Sequence, residues 1–194
     1  MLFDEYAYNT LVVSSSGKFN DAIRPHLAAA NCSPITYVSG VAAAKRAVLD
    51  TQYDFVIINA PLPDDFGTKF AIDLCTGKNT VCLILVSADR LDEIHARVTS
   101  HGVFVLSKPI SAPVLAHGLD FMAAMRERLR NLEQKTASVE QKMEEIRLVN
   151  RAKWMLIENL HMTEPDAHRY IEKQAMDTCV SRREVAESII RTYN

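Results

Sequence analysis

Five short runs rich in Val, Ile and Leu, separated by stretches of helical pattern, constrain the first half of this sequence most. They are Thr10-Leu11-Val12-Val13, Ile35-Thr36-Tyr37-Val38, Phe55-Val56-Ile57-Ile58, Val81-Cys82-Leu83-Ile84-Leu85-Val86 and Val103-Phe104-Val105-Leu106. Helix candidates lie between them near 18–30, 41–50, 67–76 and 89–100. A strand wetted on one face alternates apolar with polar residues. These runs are apolar almost throughout, so both faces must be covered, which predicts a parallel sheet between helical layers. Five βα repeats in this length predict a doubly wound, five-stranded sheet of order 2-1-3-4-5 over residues 1–110. The whole sequence has 194 residues, 48% of them hydrophobic, enough for one large domain or two small ones.

That arrangement is the flavodoxin-like one, and it gathers functional residues at the carboxyl ends of its strands. The third run leads into Asn59-Ala60-Pro61-Leu62-Pro63, with Gly67 four residues on. The fourth ends Val86-Ser87-Ala88, and the fifth leads to Lys108-Pro109. With the Pro63…Gly67 spacing, Ser87-Ala88 and Lys108-Pro109, the region from about 10 to 120 resembles the receiver domain of two-component response regulators. The departures matter as much as the matches. Receivers carry an Asp at the end of the third strand, which attacks a phosphohistidine; Asn59 stands there, and an amide cannot form the acyl phosphate. Receivers also hold Mg²⁺ with two carboxylates just after the first strand, where this sequence has Ser14 and Ser15. Hydroxyls alone are weak ligands for magnesium. The resemblance therefore implies a pseudo-receiver with a degenerate pocket of Ser14, Ser15, Asn59, Ser87 and Lys108. Without a nucleophile, Ser87 and Lys108 are expected to form a satisfied polar cluster on the pocket floor. Asp64 and Asp65 are offset from the strand end, which suits loop or helix-capping roles.

From Ser111 to Val149 there is no glycine after Gly118 and no proline after Pro113. Leu115, Met122, Leu129, Thr136, Met143 and Asn150 recur every seven residues, and Gly118, Met125, Leu132, Val139 and Ile146 follow three residues behind. This is an a/d heptad pattern. It predicts a coiled-coil helix over 111–149, roughly 55–60 Å long at the α-helical rise. A compact sheet cannot cover such a seam along its whole length. Met122, Met125, Leu129, Leu132, Val139, Met143 and Ile146 are therefore expected to meet the same helix of a second chain. The competing reading is that the seam packs within one subunit. Thr136 and Asn150 weaken the seam and help to set its register, and parallel pairing would place two identical ends side by side.

The remaining residues, 150–194, form the third expected domain. Two helix starts are legible. Thr163 is an N-cap with Pro165 and Asp166 in the first turn, and Ser181-Arg182-Arg183-Glu184 is a capping box. The segment from Val149 onward thus reads as three short helices, with core positions at Met155, Leu156, Leu160, Ala167, Tyr170, Ile171, Ala175, Val185, Ile189 and Ile190. Ala152-Lys153 followed by Met155-Leu156, then Ala167, Ala175-Met176 and Ser181-Arg182-Arg183-Glu184-Val185-Ala186, resemble the ANTAR output domain, the RNA-binding module of certain bacterial antitermination regulators. The usual glycine after Ala-Lys is replaced by Trp154. From residue 141 onward Lys/Arg and Asp/Glu balance, nine of each. Non-specific attraction to nucleic acid is accordingly modest, and recognition must rest on local clusters and shape. The candidates are Arg151 and Lys153 with Arg182 and Arg183, and a second face of Arg169 and Lys173 beside His168. Tyr170 reads as core rather than as a base-stacking ring.

Overall charge adds little, with 22 basic against 24 acidic residues. The four cysteines (Cys32, Cys75, Cys82, Cys179) are scattered, which suits buried thiols in a reducing compartment better than disulfides or zinc. The acidic start MLFDEYAYNT has no apolar core of an export signal, and no run approaches a membrane span. No Walker loop, G-x-S-x-G or H-E-x-x-H is present, and the six histidines show no ligand spacing. The expectation is a cytoplasmic, non-enzymatic homodimer without cofactor or metal. It would bind hairpins in a nascent leader RNA, stop a terminator from folding, and be controlled by a protein partner rather than by phosphorylation. A DNA-binding transcription factor and a protein-interaction scaffold are the alternative readings.

Overall fold

The computed structural model describes residues 7–77 and 79–193. Residues 1–6, the start of the stretch read above for an export signal, lie outside the described residues, as do Lys78 and Asn194. The five strands are β1 (Tyr8–Val13), β2 (Cys32–Val38), β3 (Phe55–Asn59), β4 (Val81–Ser87) and β5 (Phe104–Lys108). They pair in parallel in the order β2-β1-β3-β4-β5. Four helices lie between them: α1 (Gly17–Ala29), α2 (Val41–Asp50), α3 (Thr68–Gly77) and α4 (Leu91–Val98), the last flanked by short 3₁₀ turns. This is the receiver-like, flavodoxin-type fold that the alternation predicts.

The strand period of two sorts the sheet's side chains into two cores. Leu11, Val13, Val56, Ile58, Cys82, Ile84 and Val86 meet Val41 and Ala44 of α2, Phe70 and Leu74 of α3, and Ile94 of α4. On the other face, Val12, Phe55, Ile57, Leu83 and Leu85 meet Ile23 and Leu27 of α1 and, beyond the expected domain boundary, Leu115, Leu119 and Met122.

Those last three residues belong to α5, one continuous helix from Ala112 to Leu160. The compact units are Met1–Arg130 and Asn131–Asn194. The expected boundaries, 1–110, 111–149 and 150–194, do not coincide with them. The seam residues divide in the same way. Met122 is fully buried in the sheet's own core, and Met125 and Leu129 are partly buried against it, so these three serve the first unit. The reason is chemical: an apolar stripe at helical spacing suits a sheet face as well as a partner helix. Leu132, Val139, Met143 and Ile146 are about half exposed, at 49%, 55%, 52% and 59%.

A clasp of charge that the sequence reading does not foresee ties α5 to the first unit. Arg126 Nε donates to Asp54 Oδ1 at 2.6 Å, and Arg130 reaches the same oxygen at 3.2 Å. Asp54 Oδ2 accepts the Asn9 amide at 3.0 Å. Glu127 accepts from Arg130 at 2.8 Å and from the Tyr8 hydroxyl at 3.1 Å. Burial, then the Glu127 charge, pushes the Tyr8 hydroxyl up to about 12.

In the second unit the three helices are the end of α5, α6 (Glu164–Thr178) and α7 (Arg182–Tyr193). The first of them is thus the tail of the long helix rather than a separate element. Ala152, Leu156, Ala167, Ile171, Val185, Ala186 and Ile189 form the core. Leu160 and Tyr170, expected inside, are 44% and 38% exposed. Both expected caps are present. Thr163 Oγ1 accepts from Asp166 N at 3.4 Å, and Ser181 Oγ accepts from Glu184 N at 3.2 Å while Glu184 Oε2 takes Ser181 N at 2.8 Å. Cys179 ends α6 at φ 53°, with its amide on Met176 O.

Candidate functional site

Two places in the structure collect polar chemistry, one in each unit. The first is the pocket at the carboxyl ends of β1, β3 and β5. Strand register sets Val13 beside Ile58 and Asn59 beside Leu85, which brings the residues just beyond them together. Ser14 is buried, and its hydroxyl oxygen accepts from Asn59 Nδ2 at 3.1 Å and from Ser16 N at 3.2 Å. Lys108 Nζ donates to Asn59 Oδ1 at 3.0 Å and to the Ala60 carbonyl. Burial lowers the Lys108 pKa from the usual lysine value. Ser14, Asn59 and Lys108 thus close a chain of hydrogen bonds in which both ends of the amide are used. Ser87, at the end of β4, bonds to Asp89 instead, and Ser15 is exposed.

The nearby carboxylates are turned to other work. Asp64 accepts from Val41 N at 3.0 Å and Ala42 N at 2.8 Å, capping α2 from a distant loop. These amide bonds hold its carboxyl below the usual range. An added Cβ at Gly40 would lie 2.6 Å from Asp64 Oδ1 and push the carboxylate off this cap. Asp65 Oδ1 accepts from Gly67 N at 2.6 Å, closing the turn that Gly67 enters at φ 86°. A receiver pocket implies a magnesium ion, and these residues do not fit one. The position beside Lys108 offers an amide already bonded at both ends and a hydroxyl already accepting two bonds, not charged oxygens.

The second place is the surface of the three-helix unit. Of the expected cluster of Arg151, Lys153, Arg182 and Arg183, the last three are engaged in ion pairs within this unit. Lys153 Nζ lies 3.0 Å from Glu164 at the start of α6. Arg182 bridges Glu145 of α5, at 3.2 Å, and Glu172 of α6, at 3.8 Å. Arg183 pairs with Glu187 one turn along α7 at 2.9 Å, which raises its pKa further. Arg151 is exposed but also has a partner. Lys153 and Arg182 therefore stitch different junctions of the helices. Arg169 and Lys173 stand exposed on α6, and no acid pairs with them among the described residues. Trp154 is 63% exposed beside a hollow shared with Asn150, Lys153, Ile157 and Glu164.

Between α6 and α7 runs a larger groove of about 540 Å³. Tyr170 and Gln174 line it from α6, Ser188, Thr192 and Tyr193 from α7, and Leu156 of α5 also lines it. Apart from Leu156 and Tyr170, these residues carry no role in the sequence reading. The available signal was the pair of polar four-residue stripes, 170/174/178 on α6 and 184/188/192 on α7.

The class defined by this geometry is a receiver-like α/β unit joined through a long helix to a three-helix unit. Comparison with known proteins agrees for both halves. The ANTAR domain family matches residues 137–190. The transcriptional regulatory protein PdtaR of Mycobacterium tuberculosis is 27% identical over 139 residues, spanning 72% of this chain and 68% of that protein. The signal receiver domain of an HD domain-containing protein from Pseudomonas fluorescens Pf-5 superposes with a TM-score of 0.57 at 19% identity, covering 64% of this chain and 93% of that one. The chemotaxis response regulator CheY4 of Vibrio cholerae gives a TM-score of 0.53 at 17% identity, covering 60% and 99%. The ANTAR match in the second unit and the receiver-like fold of the first together support an ANTAR response regulator with a receiver-like domain.

Proposed function

We propose that the chain is an RNA-binding transcription antitermination regulator that acts as a homodimer. It binds hairpins in a nascent leader transcript and prevents a terminator from forming. The observation that carries this reading is the ANTAR match over residues 137–190, which spans nearly the whole three-helix unit. The Mycobacterium tuberculosis relative, a transcriptional regulatory protein by name, is in keeping with it.

Control does not run through aspartyl phosphate. Asn59 is no nucleophile, and its amide is bound on both sides by Ser14 and Lys108. The signal enters instead through a protein partner that engages the receiver-like unit or the long helix. Dimerisation uses the exposed second half of the seam, Leu132, Val139, Met143 and Ile146. Two output units on one dimer then engage two hairpins, and linkage raises the effective affinity of a surface that is electrically neutral.

A gel-shift titration with tandem-hairpin RNA, a random RNA of equal length and duplex DNA tests the reading. A clear preference for the tandem hairpins is expected. Equal binding to random RNA sinks it, and preference for duplex DNA replaces it with a DNA-binding factor.

A further inference from the structure

We infer that the groove between α6 and α7 is the seat of a single unstacked nucleobase from the hairpin loop, with the flanking phosphates held by Arg169 and Lys173. The inference rests on the RNA reading above and assigns it a place. Residues 170 and 174 lie four apart on α6 and so share one face of that helix; residues 169 and 173 form the adjacent stripe. A basic edge therefore runs alongside the groove for a full helical turn. Its two cations are exposed and have no acidic partner among the described residues, whereas Lys153, Arg182 and Arg183 are held in ion pairs.

The lining suits a base. Its volume of about 540 Å³ falls within the range of small-ligand sites. Tyr170 and Tyr193 supply aromatic surface from opposite helices, and stacking on such rings accepts any base. Gln174 contributes an amide with both donors and an acceptor, the group suited to reading a base edge. Thr192 spends its hydroxyl hydrogen on the Ser188 carbonyl at 3.0 Å and so presents an acceptor oxygen. Glu184 also lines the groove, but its carboxylate is committed to Ser181 at 2.8 and 3.0 Å. Those bonds fix the one acid in the lining in its capping position and hold it ionised there.

The test uses the full chain, titrated with a fluorescent hairpin RNA and with versions of it made abasic at each loop position in turn. For the unaltered chain, one abasic position should weaken binding about tenfold or more. Tyr170→Leu and Gln174→Ala should weaken binding to the intact RNA and add little further loss on that abasic RNA, the non-additivity of groups in contact. Tyr170→Phe should keep the affinity. Arg169→Gln and Lys173→Gln should weaken both RNAs and flatten the salt dependence. If hairpins bind but the groove variants bind as tightly as the unaltered chain, the groove assignment is wrong and the RNA reading stands. The assignment also fails if Tyr170→Leu and Gln174→Ala weaken intact and abasic RNA equally. Groove variants that alter self-association while sparing RNA would assign the groove to protein. If the unaltered chain shows no hairpin preference, both readings fall. Gln174→Ala removes only the end of a half-buried side chain, so it keeps the cycle available should Tyr170→Leu unfold.

Discussion

Asp54 is the residue on which the first unit's attachment to α5 depends. One carboxylate meets two guanidinium groups and a backbone amide, with its side chain 17% exposed and that of Arg126 8%. Removing one partner of such a pair leaves the other charge buried without compensation. Arg126→Ala should therefore lower the unfolding free energy of the first unit by about 3 kcal/mol, read by urea denaturation. Tyr8 makes a second test. Its folded-state pKa of about 12 stands above the ordinary 10.0, so the folded state holds the proton more tightly than the unfolded one. Its contribution is intact below pH 10 and is lost as pH rises toward 12. Between those limits Tyr8→Phe should lose less stability than the unaltered chain, as measured by denaturation at stepped pH. Gly67 is a third, with φ 86° and Ile58 Cγ2 2.9 Å from where a Cβ would sit. Gly67→Ala should cost about 1–2 kcal/mol in left-handed backbone strain alone. None of the Asp54 contacts was legible beforehand, because Asp54 and Arg126 lie 72 positions apart and nothing local marks them as partners.

Among the elements, α5 carries two different obligations on one apolar stripe. Its first turns bury Leu115, Leu119 and Met122 in the sheet core, while Leu132, Val139, Met143 and Ile146 remain open. A heptad pattern reports that a stripe must be covered and is silent about what covers it. That is why the seam was legible as a pattern while its division between sheet and open surface was not. The split makes opposite predictions for its halves. Val139→Glu with Met143→Glu should shift the chain from dimer to monomer in sedimentation velocity and leave the sheet unit's unfolding midpoint unchanged. Met122→Ala should lower that midpoint, with a cavity cost of about 2–5 kcal/mol, and leave self-association alone. The strands, by contrast, were readable almost to their ends, because unbroken Val/Ile/Leu runs have few ways to be buried on both sides. The caps at Thr163 and Ser181 were readable because their chemistry is confined to four residues.

For the molecule as a whole, the proposed function assigns input to the first unit and output to the second. In the pocket of the receiver-like unit, the Asn59 amide bonds to Ser14 and to Lys108. Incubation with a small-molecule phosphodonor such as acetyl phosphate should leave the intact mass and the affinity for hairpin RNA unchanged. A phosphate-sized mass gain on the receiver-like unit would sink the phosphorylation-independent reading. No helix among the described residues is long and apolar enough to cross a membrane.

The sequence alone determined the sheet and its strand order, the long helix, the capped helices of the second unit, and the placing of Ser14 and Asn59 at strand ends. Each of these is written in local periodicity or in the identity of one side chain at a strand end. Tertiary structure alone decided that the compact units meet at Arg130 and Asn131, that Met122 belongs to the sheet, and that Asp54 grips α5. It also decided that Arg182 and Lys153 are tied to acids while Arg169 and Lys173 stand exposed, with no acidic partner among the described residues. These outcomes depend on which distant side chains are brought within a few ångströms of one another. Charge pairing and burial are properties of that proximity, and a linear order of residues does not contain it.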